Sequence, residues 1–283
     1  MRQVRIIPRL DIKGPNLVKG IHLEGLRVLG KPEDFARYYY EEGADELFYQ
    51  DVVASLYDRN SLHGIISSTA KKSFIPLTVG GGIRTIQDIR EVLRAGADKV
   101  SINTAAVKDP FFIQEASRKF GSSTIVVAIE CIRQSDGKYL AFTDNAREHT
   151  GLDVFDWAKR VEELGAGEIV ITSVDNEGTG SGYDLELTKT VARLVSIPVI
   201  AHGGPGEPVH IKDVITEGEA DAVAIAAILH YDFINQERSD MSESKEGNTS
   251  FLKSGRTGFS KIVPAGVKEI KNYLNEQGIK CRI

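Results

Sequence analysis

Along this chain, short β-branched runs alternate with stretches whose apolar residues recur at helical spacing. The runs fall at 4–10, 46–52, 76–80, 99–103, 124–131, 168–173, 198–201 and 220–226. Between and after them the periodicity predicts helices over 32–43, 61–72, 85–95, 110–120, 154–164, 185–194, 208–217 and 264–277. Pro32, Pro110 and Pro264 suit first helical turns, and Gly43, Gly96, Gly121, Gly165, Gly218 and Gly278 follow last turns. Eight strand–helix alternations imply eight parallel strands joined by crossover helices. The economical closure is an α/β fold of the (β/α)8 TIM barrel type, one barrel across 1–283. An open doubly wound sheet fits less well, because no Gly-x-Gly-x-x-Gly follows the first strand.

The pattern repeats at half length. Val79-Gly80-Gly81-Gly82-Ile83 closes one apolar run, and Ala201-His202-Gly203-Gly204 closes another about half a chain later. Each is a place where backbone approaches a ligand closely and N–H groups suit a phosphate. Ile7-Pro8-Arg9-Leu10-Asp11 parallels Val127-Ala128-Ile129-Glu130, both strands ending in a carboxylate. Glu46-Leu47-Phe48 parallels Glu168-Ile169-Val170, and Gly96-Ala97-Asp98 parallels Glu219-Ala220-Asp221. Two half-barrels of four strands follow, with the ends of strands 1 and 5 opposite one another and a ligand carrying a phosphate at each end.

Composition narrows the picture. The chain has 283 residues, 41% hydrophobic, with net charge −5. That length suits one undivided barrel, and the mild acidity argues against nucleic acid. Cys131 and Cys281 are too few for a disulfide framework and lack metal-ligand spacing. No apolar leader or membrane-length run appears, so a soluble cytoplasmic protein is expected. Residues 235–258 are polar and aperiodic, an insertion between the last strand and the last helix. It is either a tolerated surface loop or a lid over the active face.

In a parallel barrel, catalytic groups sit at the C-terminal strand ends. Asp11 and Glu130 are placed there as a pair able to divide general acid and base work. Asp51 and Asp175 are weaker candidates for positioning substrate hydroxyls. Asn103 and Thr104 flank the first glycine turn; Thr172, Ser173, Gly178 and Thr179 flank the second. Lys19, on the first loop, is within reach of a phosphate or a developing negative charge. At the opposite end, Arg5, Glu46, Lys99 and Glu168 fall at the starts of four strands. A stabilising ion-pair ring and a gate are both open readings there.

Longer strings carry a resemblance. Arg9-Leu10-Asp11, Val18-Lys19-Gly20, Thr78 through Ile83, Ala97 through Ala106, Gly165 through Ile169, and Gly178-Thr179 with Ser181-Gly182-Tyr183-Asp184 resemble the cyclase subunits of imidazole glycerol phosphate synthase. The likeness runs through nearly the whole chain apart from 235–258. It implies a (β/α)8 barrel working in a heterodimer with a HisH-like glutaminase subunit, and no cofactor or metal. Ammonia released by that partner would attack a phosphoribulosyl-formimino carboxamide nucleotide, a small bis-phosphate. The products would be imidazole glycerol phosphate and an aminoimidazole carboxamide ribotide, in histidine biosynthesis. The resemblance makes Asp11 a catalytic carboxylate. It assigns Gly82, Asn103 and Thr104 to one phosphate and Gly178, Gly203 and Gly204 to the other. It turns Arg5, Glu46, Lys99 and Glu168 into an ammonia gate, and makes Asp98 a contact with the glutaminase.

The departures cluster. Glu130 stands where the family has aspartate, Arg9 where it has cysteine, His202 and Ala227 where it has serines, and Pro205 follows Gly204 without an N–H. These changes raise an alternative, a paralogue delivering ammonia to form acetamidino groups on a surface-polysaccharide sugar.

Overall fold

The computed structural model describes residues 3–54, 62–236 and 261–282. Its strands are β1 (Arg5–Lys13), β2 (Asn16–Ile21), β3 (Glu24–Gly30), β4 (Leu47–Asp51), β5 (Leu77–Gly80), β6 (Lys99–Ile102), β7 (Ile125–Arg133), β8 (Tyr139–Thr143), β9 (Glu148–Asp153), β10 (Glu168–Ser173), β11 (Val199–His202) and β12 (Ala222–Ile225). Its helices are α1 (Pro32–Glu41), α2 (His63–Ala70), α3 (Ile86–Ala95), α4 (Thr104–Lys108), α5 (Phe111–Phe120), α6 (Val154–Glu163), α7 (Leu185–Leu194), α8 (Pro208–Thr216), α9 (Ala227–Gln236) and α10 (Val267–Glu276). The parallel ladder runs β1-β4-β5-β6-β7-β10-β11-β12 and returns to β1, so the predicted eight-stranded barrel is closed. β1 and β7 lie four places apart around this ring, which sets their ends opposite each other.

Two antiparallel hairpins extend the ring, and the sequence reading missed both. β2 and β3 fold back on β1, while β8 and β9 fold back on β7. Their turns place His22 and Leu23, and Asp144, Asn145 and Ala146, at positive φ. Turns of this hand usually announce themselves through glycine, and none of these five residues is glycine. The hairpins nevertheless repeat the half-barrel symmetry, one after each carboxylate-bearing strand.

Residue alternation along each ring strand builds two cores. On β1, Ile6, Leu10 and Ile12 face outward and pack with helix residues such as Phe35, Ile89, Val161 and Val191. Ile7 faces the lumen with Phe48, Val126, Val170, Ile200, Ala222 and Ala224. Buried side chains of this size contribute about 1.5–3 kcal/mol each, and only a period of two supplies both layers from one strand.

Pro32 and Pro110 stand at helix starts and the glycines at helix ends as expected, but Pro264 lies ahead of α10, which begins at Val267 after Gly266. α3 has a full capping box, Thr85 with Asp88, and Asp153 and Asp184 cap α6 and α7. Such caps contribute about 1 kcal/mol each. α4 is too short for its periodicity to show. α9 escaped the reading for the opposite reason: it is buried nearly all round, from Ala227 through Phe233, and so has no amphipathic stripe. The polar insertion expected at 235–258 lies, beyond the last two residues of α9, outside the described residues.

An Ala-Asp pair recurs after three helix ends, at Ala44-Asp45, Ala97-Asp98 and Ala220-Asp221, and has a structural use on the barrel floor. Asp45 accepts from Ile6 N–H at 2.8 Å, Asp98 from Leu77 N–H at 2.9 Å, and Asp221 from Val199 N–H at 2.7 Å. Each carboxylate satisfies a strand-start donor on the neighbouring chain segment. Asp98 is exposed on that floor.

Candidate active site

The alternation that builds the lumen also stacks its chemistry in layers. From bottom to top, β1 places Arg5, Ile7, Arg9 and Asp11 on one face, and β10 places Glu168, Val170 and Thr172. The bottom layer is a closed ring of ion pairs. Arg5 reaches Glu46 at 2.5 Å and Glu168 at 2.9 Å, and Lys99 reaches both at 3.1 Å. Charges alternate around the ring and cancel, so each carboxylate has two cationic neighbours. Above it comes the apolar layer of Ile7, Phe48 and their neighbours.

Above the apolar layer stands a buried polar trio. Arg9 is 4% exposed, lies over the Phe48 ring at 5.7 Å, and donates from Nε to Asp11 Oδ1 at 3.0 Å. Its Nη1 lies 3.0 Å from His202 Nδ1, which is also 3.2 Å from Thr172 Oγ1. An arginine only donates, so His202 Nδ1 accepts and the ring proton sits on Nε2. Burial first, then the Arg9 and Lys19 charges, hold His202 well below the usual histidine range, and the ring is neutral.

A cavity of about 330 Å³ opens over this layer. Its walls include Arg9, Gln50, Asp51, Gly81, Gly82, Asn103, Thr104, Glu130, Asp144, Asn145 and Thr172. Gly81 and Gly82 have φ of 97° and 71°, a left-handed pair that turns successive N–H groups toward one concavity. A Cβ on Gly81 would stand 2.3 Å from Asp51 O, so the turn presses against β4 and admits no side chain. Thr104 Oγ1 and Asp144 pair across the same wall, the main-chain N–H of Asp144 reaching the hydroxyl at 3.3 Å.

Glu130 accepts from Ala146 N–H at 2.7 Å. Burial pushes its carboxyl up to about 7, outweighing that hydrogen bond and the Arg9 charge. Near neutral pH it therefore exchanges a proton readily, as a general acid requires. Asp11 is different: it is held by Arg9 and is not among the cavity walls. The two carboxylates lie on strands opposite one another in the ring as expected, and Arg9, which binds Asp11, lines the cavity.

The remaining expected site residues divide. Asp51, Gly82, Asn103, Thr104, Glu130 and Thr172 meet at the cavity. Lys19, Ser173, Gly178, Gly203 and Gly204 do not line it. Lys19 is buried in an ion pair with Glu177 and also donates to Gly20 O at 2.8 Å. Asp175 accepts from Arg133 N–H at 2.8 Å on the exposed rim. Sequence reasoning overlooked Gln50, Asp144 and Asn145. The last two sit on the tip of the missed hairpin, and an Asp-Asn pair tolerates the positive φ found there; that was the available signal.

Among the described residues, no helix is long and apolar enough to cross a membrane. The histidine biosynthesis protein family profile matches residues 5–235. A relative from Legionella pneumophila, named imidazole glycerol phosphate synthase subunit HisF, is 59% identical over 73% of this chain and 98% of its own length. HisF proteins of Alkaliphilus metalliredigens and Methanocaldococcus jannaschii are 46% and 50% identical, over 84% and 80% of this chain and 94% and 90% of their own lengths. With a closed barrel of this layout and relatives matched over nearly their full lengths, the chain belongs to the histidine biosynthesis protein family, beside the HisF subunits of imidazole glycerol phosphate synthase.

Proposed function

We propose that this chain is the cyclase subunit of a glutamine-dependent imidazole glycerol phosphate synthase. It would use ammonia to convert the phosphoribulosyl-formimino carboxamide nucleotide into imidazole glycerol phosphate and aminoimidazole carboxamide ribotide. The observation that carries this reading is the placing of the Arg5–Glu46–Lys99–Glu168 ring and the cavity at opposite ends of one apolar lumen. Ammonia enters at the floor from a HisH-like glutaminase docked there, with Asp98 at the contact. A neutral nucleophile crosses the apolar layer at far lower desolvation cost than an ammonium ion. The substrate phosphate rests at Gly81-Gly82 with Asn103 and Thr104 beside it.

Addition of ammonia to a carbonyl carbon needs a proton delivered to oxygen and one removed from nitrogen. Glu130, protonated near neutrality, delivers the first. Asp11, kept close by Arg9, takes up the second once the Arg9 guanidinium turns toward the bound substrate. The amidinating paralogue is the less favoured reading, since relatives at 46–59% identity carry the HisF name. The test is direct. Purified chain given the formimino nucleotide and an ammonium salt at high pH forms imidazole glycerol phosphate; absence of turnover rejects the assignment. Glutamine-driven turnover after adding a glutaminase subunit tests the partner separately.

A further inference from the structure

Strand alternation fixes which side chains stand between the apolar lumen and the cavity. Two residues beyond Ile7, Phe48, Val170 and Ile200 come Arg9, Gln50, Thr172 and His202. Across the ring their counterparts are small: Ala128 on β7 opposite Arg9, and Gly80 on β5 opposite His202. β12, which lies between β1 and β11, pairs Ala224 with both Ile7 and His202. That small residue leaves room for Arg9 and His202 to meet, at 3.0 Å.

Arg9 touches both sides of this layer, the Phe48 ring below and the cavity above. Beneath it Ile7 and Phe48 are 1% exposed and Ile200 2%, so water in the cavity does not reach them. Ammonia is about the size of water, so it does not pass in this arrangement either. The transfer proposed above therefore needs a moving part. Ile7, Val170 and Ile200 are β-branched and stiff at χ1, and they are packed into the lumen. Gln50 fills the notch left by Gly80, where a Cβ would stand 2.4 Å from its Oε1. Arg9 differs from all of these. It is long and unbranched, held through Nε on Asp11 and Nη1 on His202, with a cavity of about 330 Å³ beside it. Its charge is permanent, so in this position it also repels ammonium and favours the neutral molecule.

We infer that Arg9 is a second gate, at the upper end of the lumen, latched by His202 and opened by the ligand. A ligand oxygen in the cavity competes with His202 for the guanidinium. The fork swings up to that oxygen, the lumen opens beneath it, and Asp11 is uncovered. A ligand shifts such an equilibrium only by its difference in affinity for the two positions. The class that does so presents a carboxylate, carboxamide or similar planar pair of groups that a guanidinium grips through two hydrogen bonds. Ammonia delivery thereby waits for an occupied site. The inference rests on the ammonia route proposed above.

The complex with a glutaminase subunit, given glutamine and scarce formimino nucleotide, provides the first test. The readout is glutamine consumed per imidazole glycerol phosphate formed. His202→Ala removes the latch; losing a hydrogen bond to a charged group shifts the open fraction about tenfold, and the ratio rises several-fold over the parent. His202→Asn, whose side-chain oxygen can accept from Arg9, brings the ratio back toward the parent, which a purely packing role for the ring does not predict. Crystals of the full chain with and without imidazole glycerol phosphate provide the second test and need neither variant nor glutaminase. The guanidinium is expected on His202 without the ligand and on a ligand oxygen with it. An unmoved ratio in His202→Ala, or Arg9 still on His202 in the liganded chain, overturns the inference. Arg9 unmoved in a chain that cyclises with ammonium would remove this inference and leave the proposed function standing; Arg9 displaced by the ligand in a chain that makes no imidazole glycerol phosphate would do the reverse.

Discussion

Arg9 and Asp11, two residues apart on β1, form a buried ion pair of 3.0 Å with each side chain only 4% exposed. Strand periodicity puts both on the lumen face, and desolvation makes the pair costly to break from one side. Removing one partner of a buried pair costs about 3–5 kcal/mol, because the other charge is left uncompensated. Arg9→Met and Asp11→Asn are therefore each expected to lower stability by amounts in that range, and the double variant by less than their sum. Urea unfolding of the three proteins measures the coupling. Additive losses would show that the pair contributes nothing. Asp11→Asn also abolishes turnover, and full activity in that variant would remove Asp11 from the chemistry.

Glu130 makes the fold sensitive to pH. Its folded value of about 7 lies above the ordinary 4.5, so the folded protein binds the proton more tightly than the unfolded chain. The stability this brings is fully present below about 4.5 and is lost as pH rises toward 7. The loss is on the order of 3 kcal/mol. Glu130→Gln flattens that slope and is more stable than the parent above pH 7, while losing activity. Thermal melts from pH 5 to 8 check this; parallel curves for parent and variant would refute it.

Loss of Lys99 leaves Glu46 and Glu168 sharing Arg5 alone. With the ring partly solvated, the stability cost of Lys99→Met is expected below about 2 kcal/mol. The functional effect is larger. Glutamine-driven turnover falls by about tenfold or more relative to ammonium-driven turnover, which stays near that of the parent. Equal changes in both rates would assign the ring to stability alone.

Two glycine substitutions separate backbone strain from collision. Gly137 has φ of 86° with open space around it, and Gly81 has φ of 97° with Asp51 O at 2.3 Å from a built Cβ. Gly137→Ala costs about 1–2 kcal/mol from the left-handed backbone. Gly81→Ala costs more and also displaces β4 from the cavity wall. Equal losses in urea unfolding would show that the turn has room to relax.

The barrel was legible because it is a repetition of local signals. A period of two along each strand, a period near 3.6 along each helix, and proline and glycine at helix ends all depend on residues close in sequence. The same alternation carried Arg5, Ile7, Arg9 and Asp11 to one face, and the half-length repeat carried β1 opposite β7. The hairpins and α9 were not legible. The former turn through residues without the usual signal, and the latter is apolar on every side. The state of each candidate group was decided only by packing. Lys19 meets Glu177 from 158 residues away, Arg9 meets His202 from 193 away, and Glu130 takes its raised proton affinity from burial. What presses on each glycine turn is likewise a matter of tertiary packing: Asp51 O of β4 backs Gly81, and Ser173 O of β10 backs Gly203. Short-range periodicity is written residue by residue, whereas desolvation and long-range pairing exist only after the chain has closed on itself.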